Sequence, residues 1–124
     1  MKLRRIQHLH TPISGILPDN TDILDLVRAL HPTPAVAGIP RQVAQDWIDE
    51  NESMDRGWYA APVGWMTPTG GGEFRVALRS ALLTDDALTL FAGGGIVDGA
   101  EPTHELAETA TKFEALLGAL DLTP

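Results

Sequence analysis

The chain has 124 residues, 44% of them hydrophobic, and a formal charge of −8 from nine Lys and Arg against seventeen Asp and Glu. That length is one domain able to bury a core, the scattered basic residues argue against a broad phosphate-tracking surface, and the lack of cysteine removes disulfide and thiolate chemistry. No apolar run can span a bilayer, and Met1 to Arg5 leads into Gln7, His8 and His10 instead of an apolar signal core, so the expected setting is cytoplasmic, without nucleic acid or membrane as partner.

The first segment, LRRIQHLHTPISGIL, alternates as a strand with Ile6, His8 and His10 on one side, and Pro12 limits how far pairing continues. A turn at Pro18 to Asn20 leads into a helix with Thr21 as N-cap and Ile23, Leu24, Val27 and Leu30 as its buried stripe. His31-Pro32-Thr33-Pro34 ends it. After AVAGIP, Pro40 suits the first turn of a helix over RQVAQDWIDEN, with Val43, Ala44, Trp47 and Ile48 facing inward.

From Gly57 the pattern becomes a meander of three antiparallel strands: WYAAPVGWM, FRVALRSALL and ALTLFAGGGIV, joined by turns at TPTGGGE and Thr84-Asp85-Asp86. A last helix opens near Pro102 and runs to about Leu120, packing through Leu106, Phe113, Leu116, Leu117 and Leu120. The order of elements gives an α+β fold, an antiparallel sheet with helices packed on one side.

Four stretches can carry chemistry. In the last helix, Glu105, Glu108 and Lys112 fall within about 60° of one another at the border of the leucine stripe. That arrangement serves as an exposed i,i+4 ion pair, or as two carboxylates for Mg²⁺, which takes one or two of them with waters and substrate oxygens. Alternation along FRVALRSALL sets Arg79 among Arg75, Ala77 and Ala81, either as a solvated arginine or as a bidentate clamp on a carboxylate. In AGGGIV, three consecutive glycines allow backbone N–H groups to approach an anion, and a tight bend needs them equally. It is not a dinucleotide fingerprint, because the third glycine would fall at Asp98. His8 and His10 lack a clear third ligand for zinc, and one of them suits a pocket hydrogen bond better.

Taken in order, IQHLHTPISGIL, LHPTPAVAGIPRQVA, DRGWYAAPVGW, GEFRVALRSALL, FAGGGIV and ELAETATK resemble the C-terminal part of the chorismate-utilising enzymes, and within them most closely the isochorismate synthases. The resemblance covers nearly the whole chain and less than a third of a full member. It implies the family's larger layered fold, with residues 1–124 as an incomplete portion of one domain. By the E-x-x-E-T-x-x-K pattern, Glu108 would bind the Mg²⁺ that holds the ring carboxylate of chorismate, with Glu105 supporting the ion and Lys112 beside it. Arg79 and Tyr59 would engage the enolpyruvyl carboxylate with backbone at Gly93 and Gly95, and His8 would lie near the ring.

The implied reaction is the isomerisation of chorismate to isochorismate, in menaquinone, siderophore or salicylate routes. Ala35 to Arg41 departs from the segment usual in anthranilate synthases, while salicylate synthases share its Gly-Ile-Pro and remain an alternative. The family's general base and general acid match no residue here. The resemblance therefore implies a metal- and substrate-binding portion, inactive alone and productive with a separate N-terminal fragment; a non-catalytic small-anion module is the competing reading.

Overall fold

Helix α1, Ile23–Leu30, begins at Asp22, whose carboxylate accepts from the Asp25 amide while Asp25 accepts from the Asp22 amide. The cap is therefore Asp22 and not the expected Thr21, because only Asp22 has an acidic residue three positions on to reciprocate. The computed structural model describes residues 11–121. The expected first strand falls largely on residues 1–10, outside the described residues, and 11–18 form no strand.

A short helix α2, Pro34–Ala37, precedes α3, Arg41–Asn51, for which Pro40 is the N-cap residue. The Arg41 guanidinium donates to the Ala29 carbonyl at 3.1 Å, tying the start of α3 to the end of α1. Of the α3 residues expected to face inward, Ala44 and Ile48 are half-buried, but Val43 and Trp47 are exposed.

The expected three-strand meander is four strands in two separate antiparallel ribbons: β1, Pro62–Met66, with β2, Gly72–Val76, and β3, Ser80–Leu83, with β4, Leu88–Phe91. Both short connections form as expected, with Gly70 at φ 85 in the first and Thr84 bonded to Ala87 in the second. The Ile23 amide donates 2.9 Å to the Gly70 carbonyl, which seats α1 on the first ribbon.

The long strand through FRVALRSALL is broken by backbone geometry. Pairing with Ala60 and Ala61 carries the ladder to Ala77, where the Leu78 amide turns back to the Val76 carbonyl at 2.9 Å, and Arg79 then takes a left-handed φ of 47. A three-residue turn followed by a left-handed residue redirects a chain even where its apolar residues keep alternating.

Helix α4, Pro102–Ala119, closes the described chain, with Pro102 in its first turn. Phe113, Leu116 and Leu117 are half-buried, whereas Leu106 and Leu120, expected to pack, are exposed. The buried apolar residues among those described are two, Ala37 and Ala60. The accessible surface is 10342 Å², against about 6,500 Å² for a compact monomer of this mass. The class is nonetheless α+β with antiparallel pairing, and no helix among the described residues is long and apolar enough to cross a membrane.

Candidate functional site

The site is built where the end of the second ribbon meets the first half of α4. The chain leaves β4 at Phe91 and runs through Gly93, Gly94 and Gly95. Lys112 is four-fifths buried and reaches across from α4. Its Nζ donates to the Gly93 carbonyl at 2.8 Å and lies 2.6 Å from Glu108 Oε1. One ammonium thus holds the acidic helix against the glycine segment. Glu108 keeps 60% of its side chain exposed.

Glu105 stands one turn earlier in the first turn of α4, where the helix dipole favours a carboxylate. A β-carbon placed on Gly94 would sit 2.9 Å from Glu105 Oε2 and 4.0 Å from Lys112 Nζ. Glycine is needed there for space, since none of these three glycines has a positive φ. On its other side Glu105 lines a cavity of about 310 Å³ with Ile96, Ala100, Leu106 and Thr109.

Tyr59 comes from a turn before β1. Its ring stacks on Phe91 with centroids 5.5 Å apart and an interplanar angle of 14°. A β-carbon on Gly93 would sit 2.8 Å from the Tyr59 hydroxyl, so the phenol rests against the glycine backbone. A β-carbon on Gly95 would meet nothing within 4 Å among the described residues.

Arg79 does not rise from the face of a continuous strand as expected; it stands at the left-handed residue before β3. The pairing of Ser80 with Phe91 sets the Arg79 backbone at the same end of the second ribbon as the glycine segment. Arg79 is exposed and makes no ion pair or hydrogen bond among the described residues. His8 lies outside the described residues.

The donor set suits a hard, oxygen-seeking cation of the Mg²⁺ type. Glu105 and Glu108 provide carboxylates one turn apart, and such an ion is satisfied by one or two carboxylates together with water and substrate oxygens. No group of three or more His, Asp or Glu residues that could hold a metal occurs among the described residues.

Comparison with known proteins decides what this arrangement belongs to. A family model described as chorismate binding enzyme matches residues 1–121. The chain belongs to the chorismate-binding enzymes. It is 54% identical over 129 aligned positions to the salicylate biosynthesis isochorismate synthase of Pseudomonas aeruginosa, covering 99% of this chain and 27% of that protein. It is 49% identical to isochorismate synthase MenF of Bacillus subtilis, over 96% of this chain and 25% of the relative. The crystal structure of DhbC from Bacillus anthracis, assigned as a 2,3-dihydroxybenzoate-specific isochorismate synthase, superposes with a TM-score of 0.80 at 43% identity, covering 84% of this chain and 28% of DhbC. The chain thus spans about a quarter of the length of the relatives it matches.

Within this chain, sequence reasoning missed three residues that the geometry brings in: Gly94, Phe91 and Arg56. Gly94 was visible only as the middle of a glycine run, and Phe91 only as a strand residue. Arg56 carried a signal, the Glu52 to Arg56 spacing of four. Its guanidinium grips Glu52 with Nε at 2.7 Å and Nη2 at 2.5 Å, and donates from Nη1 to the Val36 carbonyl at 3.2 Å. That hydrogen bonding, reinforced by charge and opposed by burial, holds the Glu52 carboxyl below its ordinary range and raises Arg56.

Proposed function

We propose that this chain is the Mg²⁺- and carboxylate-binding portion of an isochorismate synthase, which converts chorismate to isochorismate. The observation that carries the reading is the Lys112 bridge between Glu108 and the Gly93 carbonyl, because it joins an acidic edge to an open glycine backbone in a member of a chorismate-binding family.

In this reading Glu108 and Glu105 hold Mg²⁺, which supplies positive charge against the ring carboxylate when bound. Lys112 pairs with Glu108 and orients it, and fixes the glycine segment. Arg79 supplies a bidentate fork to the enolpyruvyl carboxylate, with the Tyr59 hydroxyl and the backbone at Gly93 and Gly95 fixing its position. His8 approaches the ring.

Isomerisation adds water at one ring carbon as hydroxide departs from another, so it needs a base to take a proton from water and an acid to protonate the leaving hydroxyl. The site residues named here bind and orient. We assign both proton transfers to a separate N-terminal fragment of the same enzyme, and this chain by itself is expected to be inactive. The large apolar side chains exposed among the described residues, Trp47, Trp58 and Leu106 included, support such a partner, since apolar faces favour association.

The test is reconstitution. Mixing this chain with a separately expressed N-terminal fragment, Mg²⁺ and chorismate is expected to form isochorismate, and Glu108→Gln is expected to abolish it. A folded, tightly assembled pair that produces none overturns the proposal.

A further inference from the structure

Tyr59, the single tyrosine of the chain, sits on an unusual stretch of backbone. Gly57 and Ala60 on either side of it are left-handed, with φ of 51 and 66. Left-handed backbone at alanine persists only where surrounding structure enforces it. The Ala60 amide is held by the Ala77 carbonyl at 2.9 Å, and the Tyr59 amide by the Arg56 carbonyl at 2.7 Å.

Arg56 provides the rest of that enforcement. Two of its N–H groups are taken by Glu52 at the end of α3 and a third by Val36 in α2, so the guanidinium is oriented by two helices at once. Its carbon lies 5.9 Å from the Tyr59 ring centroid, and the Arg56 and Glu52 side chains are only 25% and 27% exposed. The best-packed of the described residues, Ala37 and Ala60, belong to these same segments. An ordinary exposed i,i+4 pair would show neither the third hydrogen bond nor the ring contact.

We propose that Arg56 is a positioning residue for Tyr59: fixed by Glu52 and Val36, it holds the phenol on Phe91 and against Gly93, and so sets the glycine side of the carboxylate-binding cleft. The role in ligand binding rests on the function proposed above; the positioning itself does not. Lysine cannot replace it, because an ammonium lacks the planar fork that serves two partners while presenting a face to the ring.

The test uses the full chain with tyrosine labelled by ¹³C in the ring, which gives one residue's signals. In the native chain these are expected to be displaced by the stacked Phe91 ring, and Phe91→Leu should remove the displacement. Arg56→Gln and Glu52→Ala should each lose more than half of it, and Arg56→Lys should fail to restore it. A native signal at the position of free tyrosine overturns the proposal, as does a native-like signal in Arg56→Lys, which keeps the charge and guards against loss of fold in Arg56→Gln. In the reconstituted enzyme, Arg56→Lys should raise KM about tenfold with kcat little changed; an equal loss in both overturns the assigned role. Absence of isomerisation in the unmodified pair counts against the proposed function, while the ring signal still decides the positioning.

Discussion

The Lys112 ammonium donates to the carbonyl of Gly93 at 2.8 Å across nineteen residues of sequence, while lying 2.6 Å from the Glu108 carboxylate on its own helix. Removing it frees the glycine segment and leaves Glu108 without that cation. Lys112→Gln is expected to accelerate amide exchange at 93–95 and weaken chorismate binding on the order of tenfold, the range typical of losing one positioned charge contact. Hydrogen exchange and calorimetric titration of the reconstituted enzyme check it; unchanged exchange at Gly93 to Gly95 would contradict the clip.

Gly94 and Gly95 should separate cleanly. An added methyl at Gly94 meets Glu105 Oε2 at 2.9 Å, the end of a flexible side chain, so Gly94→Ala should fold and displace that carboxylate. Mg²⁺ affinity is expected to fall by roughly ten- to a hundredfold, as when groups that orient ligands are disturbed. An added methyl at Gly95 meets nothing within 4 Å among the described residues, so Gly95→Ala should leave Mg²⁺ binding intact and weaken the organic anion alone. Mn²⁺ titration read by electron paramagnetic resonance distinguishes them.

Arg79 combines a left-handed backbone with a guanidinium that is unpaired among the described residues. A left-handed non-glycine residue costs on the order of 1 kcal/mol, so Arg79→Gly is expected to match or exceed the native chain in thermal stability while losing substrate affinity. Arg79→Lys retains the backbone cost and the charge but not the fork. It should bind substrate more weakly than native with stability unchanged. Native affinity in Arg79→Gly would remove this residue from the site.

Acid should destabilise the chain in two steps. Burial first, and then the nearby Arg41, lower the His31 pKa from its ordinary 6.5. The unfolded chain then binds a proton more readily, and stability is lost as pH falls from that value through the folded one. Glu52 is lowered from 4.5 by its hydrogen bond to Arg56, with the same sign, and its contribution is lost at lower pH. Denaturant unfolding across pH should show both, with His31→Gln removing the upper step and Glu52→Gln the lower.

What sequence makes legible is local. Glu105, Glu108 and Lys112 could be placed together because helical spacing is fixed, and the ends of α4 followed from Pro102 and the leucine pattern. The Thr21 cap was off by one because two adjacent residues can both cap, and Asp25 decides between them. Continuous alternation through FRVALRSALL hid the turn at Ala77 and Arg79, since period two reports facing and not backbone handedness. Val43, Trp47 and Leu106 show the other limit: a pattern tells which face is apolar, but not whether anything covers it. The Lys112 to Gly93 bond and the Arg56 to Tyr59 contact depend on how segments meet, which spacing alone does not encode.

The ribbon and helix carrying Arg79, the glycines, Glu105, Glu108 and Lys112 are one unbroken stretch, whereas Tyr59 arrives from the turn that precedes the other ribbon. Short-range closures cost little chain entropy and form early. Docking of the phenol onto Phe91 is therefore expected to be the late event of folding. In kinetic terms Phe91→Leu should chiefly speed unfolding, while Asp86→Ala in the hairpin turn slows folding; the reverse pattern would show that the two halves meet before the ribbon forms.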